Sequence, residues 1–159
     1  VAIPTGFDAG TDRLTLSLPD APPFAPLICY EVIFPGTVAE SLPRPGWLLN
    51  ITNDGWFGPT PGPYQHFQQA RLRSVEEGLP MVRAANSGIS AIVDAKGRIV
   101  NEIALDMMGV TEGRLPASLG GTVYAIWGSW SDIALFLVVL ALGVAGPPRA
   151  ESFDVGRLT

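Results

Sequence analysis

The sequence predicts an α/β layered fold with a hydrophobic helix toward its C-terminal end. Three observations carry this. Short apolar runs bounded by Gly and Pro alternate with helical stretches, in the order strand, helix, strand, helix, strand, strand. Turn signals separate them at Pro43-Arg44-Pro45-Gly46, Asn86-Ser87-Gly88 and Ala95-Lys96-Gly97. Residues 133–146 carry no charged side chain.

Taken in order, Leu14-Thr15-Leu16-Ser17-Leu18 alternates as an exposed or half-buried strand does. Pro22-Pro23 and Pro26 bracket Phe24, and residues 27–30 read as a short buried strand. Residues 36–42 suit one or two helical turns, which Pro43 to Gly46 end. Residues 47–52, with Leu48, Leu49 and Ile51, form a second buried strand. The Gly- and Pro-rich loop over residues 53–62 carries Trp56 and Phe57, which either fold onto the domain or bind. A helix follows from Pro63, with Phe67, Ala70, Leu72 and Val75 as its apolar face, and Gly78 and Pro80 stop it. Residues 81–85 and 89–94 are strands, residues 95–97 a hairpin turn into a strand over 98–103, and residues 110–115 an edge strand.

From Tyr124 to Gly146 the chain offers about 23 apolar-rich residues, roughly 34 Å as helix, enough to cross a bilayer core. The strictly uncharged part is shorter, roughly 21 Å, and also suits a buried or interfacial helix. Tyr124, Trp127 and Trp130 lie where an aromatic belt would, and Asp132 would sit near the headgroups. Arg149 and Arg157 follow, which points to a cytoplasmic C-terminus.

Composition excludes several functions. The 159 residues carry a net charge of −5, with an isoelectric point near 4.7, the wrong sign for nucleic acid. One cysteine and one histidine, His66, exclude a disulfide framework, a thiolate cage and a two-histidine metal site. Charged residues make up only 16% and mean hydropathy is +0.29, so part of the chain is not ordinary soluble surface. The chain starts at Val1 with no secretory leader pattern, as a fragment or processed product would.

Cys29 ends the apolar run Ala25-Pro26-Leu27-Ile28 and precedes Tyr30-Glu31. A strand that delivers one thiol to a turn beside a carboxylate suits an acyl-transferring nucleophile. A lone free cysteine is equally often core filler, and the local sequence leaves both open. Glu31, two residues on, would share its face of a strand; otherwise it is solvated or pairs with Arg71, Arg73 or Arg83. His66 reads as a hydrogen-bonded structural group. Arg71, Arg73, Glu76, Glu77 and Arg83 read as an ion-pair network, and Asn86-Ser87-Gly88 as a turn beside the site.

Several blocks then point one way. Leu27-Ile28-Cys29-Tyr30-Glu31 with Phe34-Pro35 resembles the nucleophile strand of the carbon–nitrogen hydrolase (nitrilase) superfamily. The blocks of residues 50–58, 63–66, 70–76 and 83–88 resemble its apolipoprotein N-acyltransferase branch. The resemblance implies a partial nitrilase-like α-β-β-α sandwich over residues 1–118, a transmembrane helix over 119–147 and a short polar tail over 148–159. It implies a Glu–Lys–Cys triad of which only Cys29 is placed here, the glutamate and lysine lying ahead of Val1. Lys96 matches no catalytic position, and the chain by itself is expected to be inactive. The implied reaction moves an acyl chain from phospholipid through a Cys29 thioester to the α-amino group of a diacylglyceryl-apolipoprotein. The Tyr30 N–H would be an oxyanion donor and Glu31 a second carboxylate that orients the amine or the lysine. Asn53, Asp54, Trp56 and Phe57 would line the substrate entrance, unless Asn53-Asp54-Gly55 is an Asx turn whose aromatics pack inward. The expected setting is the bacterial inner membrane with the domain on its periplasmic side, in contact with the lipid bilayer, with no cofactor, metal or nucleic acid. A soluble nitrilase-like amidase, or a non-catalytic membrane-anchored module, are the competing expectations.

Overall fold

The computed structural model describes residues 13–39 and 42–145. Five strands form one mixed sheet in sequence order. They are β1 (Phe24–Ile28), β2 (Trp47–Asn53), β3 (Met81–Asn86), β4 (Ser90–Val93) and β5 (Ile99–Ile103). The first three run parallel, with Leu27 opposite Asn50 and Asn50 opposite Arg83. β4 and β5 add as antiparallel strands. A parallel pair needs a crossover, and helix α1 (Gly62–Glu77) supplies it between β2 and β3. The expected α/β class holds, with one mixed sheet.

The helix starts where Pro63 occupies its first turn and ends at Gly78, whose φ of +64° is the left-handed cap that glycine tolerates. Its buried face is half the predicted one, with Phe67 and Ala70 inside as expected. Leu72 and Val75 are exposed, while Pro63, His66, Phe67, Ala70, Arg73, Ser74 and Glu77 face inward. Helical spacing is intact, but the inner stripe is half polar because each charged member finds a partner. Arg73 donates to the Ile33 carbonyl at 3.0 Å and to Glu76 at 2.7 Å, and Arg44 reaches Glu77 at 3.3 Å. The predicted ion-pair network therefore exists in pieces: Arg83 pairs elsewhere, and Arg71 donates to the Gly97 carbonyl and to Gln68. Leu48, Met81, Val93, Phe67 and Val32 fill the core between helix and sheet.

The turn between β4 and β5 is organised by Asp94, whose carboxylate accepts from Lys96 N, Arg98 N and Arg98 Nε at 2.6–2.9 Å. Three predicted elements are missing. Among the described residues, 14–18 make only one bridge, Leu16 to Phe24, and Leu14 and Leu18 stay exposed. The described residues of 36–42 form turns rather than helix, with Gly36 left-handed at φ +67°. Residues 110–115 form no strand, and Val110 is exposed.

The hydrophobic segment also differs from expectation. It is two helices, α2 (Val123–Trp127) and α3 (Trp130–Ala145), broken at Gly128, which adopts φ +54°. Thr122 caps α2 by accepting from Ala125 N and donates to the Glu76 carbonyl, which ties this end to α1. α3 has 16 residues, about 24 Å. Among the described residues no helix is long and apolar enough to cross a membrane. The tail over 148–159, with Arg149 and Arg157, lies outside the described residues.

Candidate active site

Parallel strands present their ligands outside their carboxyl ends. Three segments meet there: Cys29 after β1, Asn53 to Phe57 from the last residue of β2, and Asn86-Ser87 from the last residue of β3. β1 starts at Phe24 and stops at Ile28, two residues short of its predicted end at Tyr30, because Cys29 turns into the left-handed region at φ +51°. For a residue with a side chain that conformation costs on the order of 1–3 kcal/mol and persists only when its surroundings hold it. Two groups hold it. The Glu31 Oε2 atom accepts from Ile28 N at 2.6 Å, and Asn50 Nδ2 donates to the Leu27 carbonyl at 3.0 Å and the Cys29 carbonyl at 3.4 Å.

Residues Cys29–Ile33 form a short 3₁₀ turn, so the expected strand geometry for Glu31 does not apply. Three residues complete such a turn, and positions two apart point away from each other. Glu31 braces the turn backbone instead of sharing the thiol's face by alternation. It makes no ion pair with Arg71, Arg73 or Arg83 among the described residues. Cys29 is half-buried and Tyr30 is exposed, its ring edge-on to Phe34 at 6.2 Å.

Beneath the turn lies a fully buried polar cluster. Asn50, Asp54, His66 and Arg83 are each no more than 3% exposed. Arg83 Nη2 meets Asp54 Oδ2 at 2.7 Å, its Nη1 donates to Asn50 Oδ1, and its Nε donates to the Ile89 carbonyl at 3.2 Å. The Asp54 Oδ1 atom accepts from Thr52 at 3.1 Å and lies 2.8 Å from His66 Nδ1. A carboxylate only accepts, so His66 carries its proton on Nδ1, and the 3.2 Å approach of Arg83 to that nitrogen is a contact rather than a second hydrogen bond. Burial alone would raise the Asp54 carboxyl, but the His66 hydrogen bond and the Arg83 charge outweigh it and hold it below its ordinary value. Burial lowers the Arg83 guanidinium, opposed by the Asp54 charge and hydrogen bond and by nearby Cys29. Such a pair is sustained by its complete set of partners.

This placement divides the expected entrance residues. Asn53 Oδ1 accepts from Gly55 N at 3.0 Å, which is the Asx turn. Asp54, expected at the entrance, is turned inward instead, because its charge has Arg83 and His66 to meet. Trp56 is 85% exposed. Phe57 packs beside His66 with ring centres 5.5 Å apart. Tyr30, Phe57, His66, Gln65 and Gln69 line a cavity of about 390 Å³ next to the Cys29 turn. Sequence reasoning missed Asn50 as a site residue. Its one signal was a lone amide within Leu48-Leu49-Asn50-Ile51, a polar group that a buried strand must satisfy.

Gly88 is the close neighbour of this cluster: a Cβ there would stand 2.5 Å from Asp54 Oδ2. Gly88→Ala is expected to destabilise the protein by about 1–3 kcal/mol through overpacking, read as a lowered denaturation midpoint. A midpoint equal to wild type would show that Asp54 yields freely.

The carbon–nitrogen hydrolase family model matches residues 7–123. The apolipoprotein N-acyltransferase of Rhodopseudomonas palustris is 54% identical over 137 residues, 86% of this chain and 26% of the relative. That of Brucella melitensis is 46% identical over 149 residues, 92% of this chain and 27% of the relative. The chain thus spans about a quarter of the length of these curated relatives. Among solved structures, a mutant of the amidase from Nesterenkonia sp. AN1, with acrylamide added at its active-site cysteine, aligns with a TM-score of 0.52 at 16% identity. It covers 82% of this chain and 51% of its own. At that identity the likeness concerns the fold.

Proposed function

The chain belongs to the carbon–nitrogen hydrolase family, and from that premise we propose that it carries the nucleophile of an N-acyltransferase of bacterial lipoprotein maturation. The observation that supports this most is Cys29, held left-handed at the carboxyl end of a parallel strand, in a chain that shares 54% identity with an apolipoprotein N-acyltransferase. The Cys29 thiolate attacks the ester carbonyl of a phospholipid. The Tyr30 N–H stabilises the oxyanion, and the lysophospholipid alkoxide leaves with a proton. The acceptor's α-amine then attacks the thioester, loses a proton to the base, and the thiolate is released. Base and cation are the glutamate and lysine that the family resemblance puts ahead of Val1. Lys96 does not substitute: Val93 pairs with Met81, so the turn after β4 lies at the opposite end of the sheet from Cys29.

Glu31 braces the nucleophile turn and contributes the second carboxylate. Asn53, Trp56 and Phe57 border the approach to Cys29, and Asp54 supports them from below. The segment over residues 119–147 meets the bilayer, with Trp127 and Trp130 at its interface and Leu135, Phe136, Val139 and Leu142 exposed on α3. Residues 1–118 then lie on the periplasmic side as a portion of the hydrolase domain.

The test is transfer itself. Full-length protein in detergent, given phospholipid with a labelled acyl chain and a diacylglyceryl peptide, is expected to move label to the peptide's N-terminus. Release of the label to water as free fatty acid, with recovery of the protein in the soluble fraction without detergent, would favour the amidase.

A further inference from the structure

We infer that Asn50 and Arg83 are positioning residues that aim the Tyr30 N–H at the oxyanion, an inference that rests on the nucleophilic role proposed for Cys29. The carbonyl of Cys29 and the N–H of Tyr30 belong to one planar peptide and point in opposite directions. Whatever holds that carbonyl therefore sets the direction of that N–H. Asn50 Nδ2 is the group that holds it, at 3.4 Å, together with the Leu27 carbonyl at 3.0 Å. An amide can be turned either way, and only one way offers Nδ2 to the carbonyls. Arg83 decides which. A guanidinium has donors and no acceptor, so the face of Asn50 turned toward it must be Oδ1. Arg83 is itself held by Asp54 Oδ2 at 2.7 Å and the Ile89 carbonyl at 3.2 Å, with the Phe67 ring 5.9 Å from its centre. Asp54 is fixed in turn by Thr52 and His66. The nucleophile's peptide plane is thus referred, through fully buried partners, to β2, β3 and α1. This is what a left-handed Cys29 needs in order to persist.

Two reactions of Cys29 separate positioning from mere folding. Acylation by a phospholipid passes through a tetrahedral oxyanion, whereas alkylation by iodoacetamide is a direct displacement at carbon and needs no oxyanion donor. In the full-length protein, Asn50→Asp keeps a partner for Arg83 and removes the Nδ2 donor. Because removing an oxyanion donor outright costs about 10²–10³ in kcat, misaiming one is expected to lower the kcat of acylation by roughly tenfold to a hundredfold, with KM little changed. The alkylation rate, measured at a pH where the thiol is fully ionised, is expected to change less than about threefold on the same grounds. Asn50→Ser, which is too short to span both partners, is expected to show the same split. Acylation at the wild-type rate in either variant overturns the inference, as does an equal fall in both reactions. If neither variant folds, Asn50 serves the fold alone and the inference is likewise overturned. Failure of the underlying reading looks different: labelled acyl chain would then remain on Cys29→Ala.

Discussion

Cys29→Ala in the full-length protein is expected to abolish the hydroxylamine-sensitive acyl adduct and to lower transfer by at least about 10⁴-fold, the scale on which nucleophile removal acts in other acyl-transfer enzymes. The chain holds no other thiol, so no second cysteine within it can take over the thioester. The substitution should leave the fold intact. Cys29 sits half-buried at a strand end, and alanine meets the same left-handed backbone requirement, which the Asn50 and Glu31 contacts hold in place. Gel detection of label transferred from a phospholipid, with and without hydroxylamine, reads the result. Label retained by Cys29→Ala would remove the nucleophile assignment and with it the proposed mechanism.

Asp54→Ala is expected to be strongly destabilising. It strips Arg83 of its only carboxylate among the described residues while both side chains are wholly buried, and breaking a buried pair costs about 3–5 kcal/mol because a charge is left uncompensated. Thermal or urea denaturation measures it. A loss below about 1 kcal/mol, the level of an exposed pair, would show that the cluster is hydrated. The pH dependence has a definite sign. The folded-state pKa of Asp54 is depressed below its unfolded value, so its stabilisation is present above that unfolded value, about 4. It is lost as pH falls through the folded-state value. Wild type should therefore weaken on acidification below about pH 4, and the Asp54→Ala stability curve should be flatter over the same range.

Much of the scaffold was legible locally. The strands over residues 47–52 and 81–85, the helix from Pro63 to Gly78 and the hairpin at 95–97 follow from turn chemistry and propensity, which act over a few residues. Errors arose where local pattern needed a distant partner. Leu14 to Leu18 alternates but, among the described residues, makes only the single Leu16–Phe24 bridge. The apolar stretch from Tyr124 reads as one helix, yet Gly128 takes a positive φ and divides it. The inner face of α1 keeps Phe67 and Ala70 but exchanges Leu72 and Val75, which look like core, for His66 and Arg73, which do not.

By itself, then, the sequence determined the α/β class, the order and approximate limits of most elements, and the position of one thiol at the end of an apolar strand. These depend on neighbours within a turn or a strand length. Only the tertiary structure decided that Asn50, Asp54, His66 and Arg83 sit under that thiol as a single buried cluster. Arg83 is 33 residues from Asn50 and 29 from Asp54, and no local periodicity links them. Burying an amide, an imidazole and two charges is unfavourable for each alone and tolerable only together, so their place is set by one another once the strands have paired.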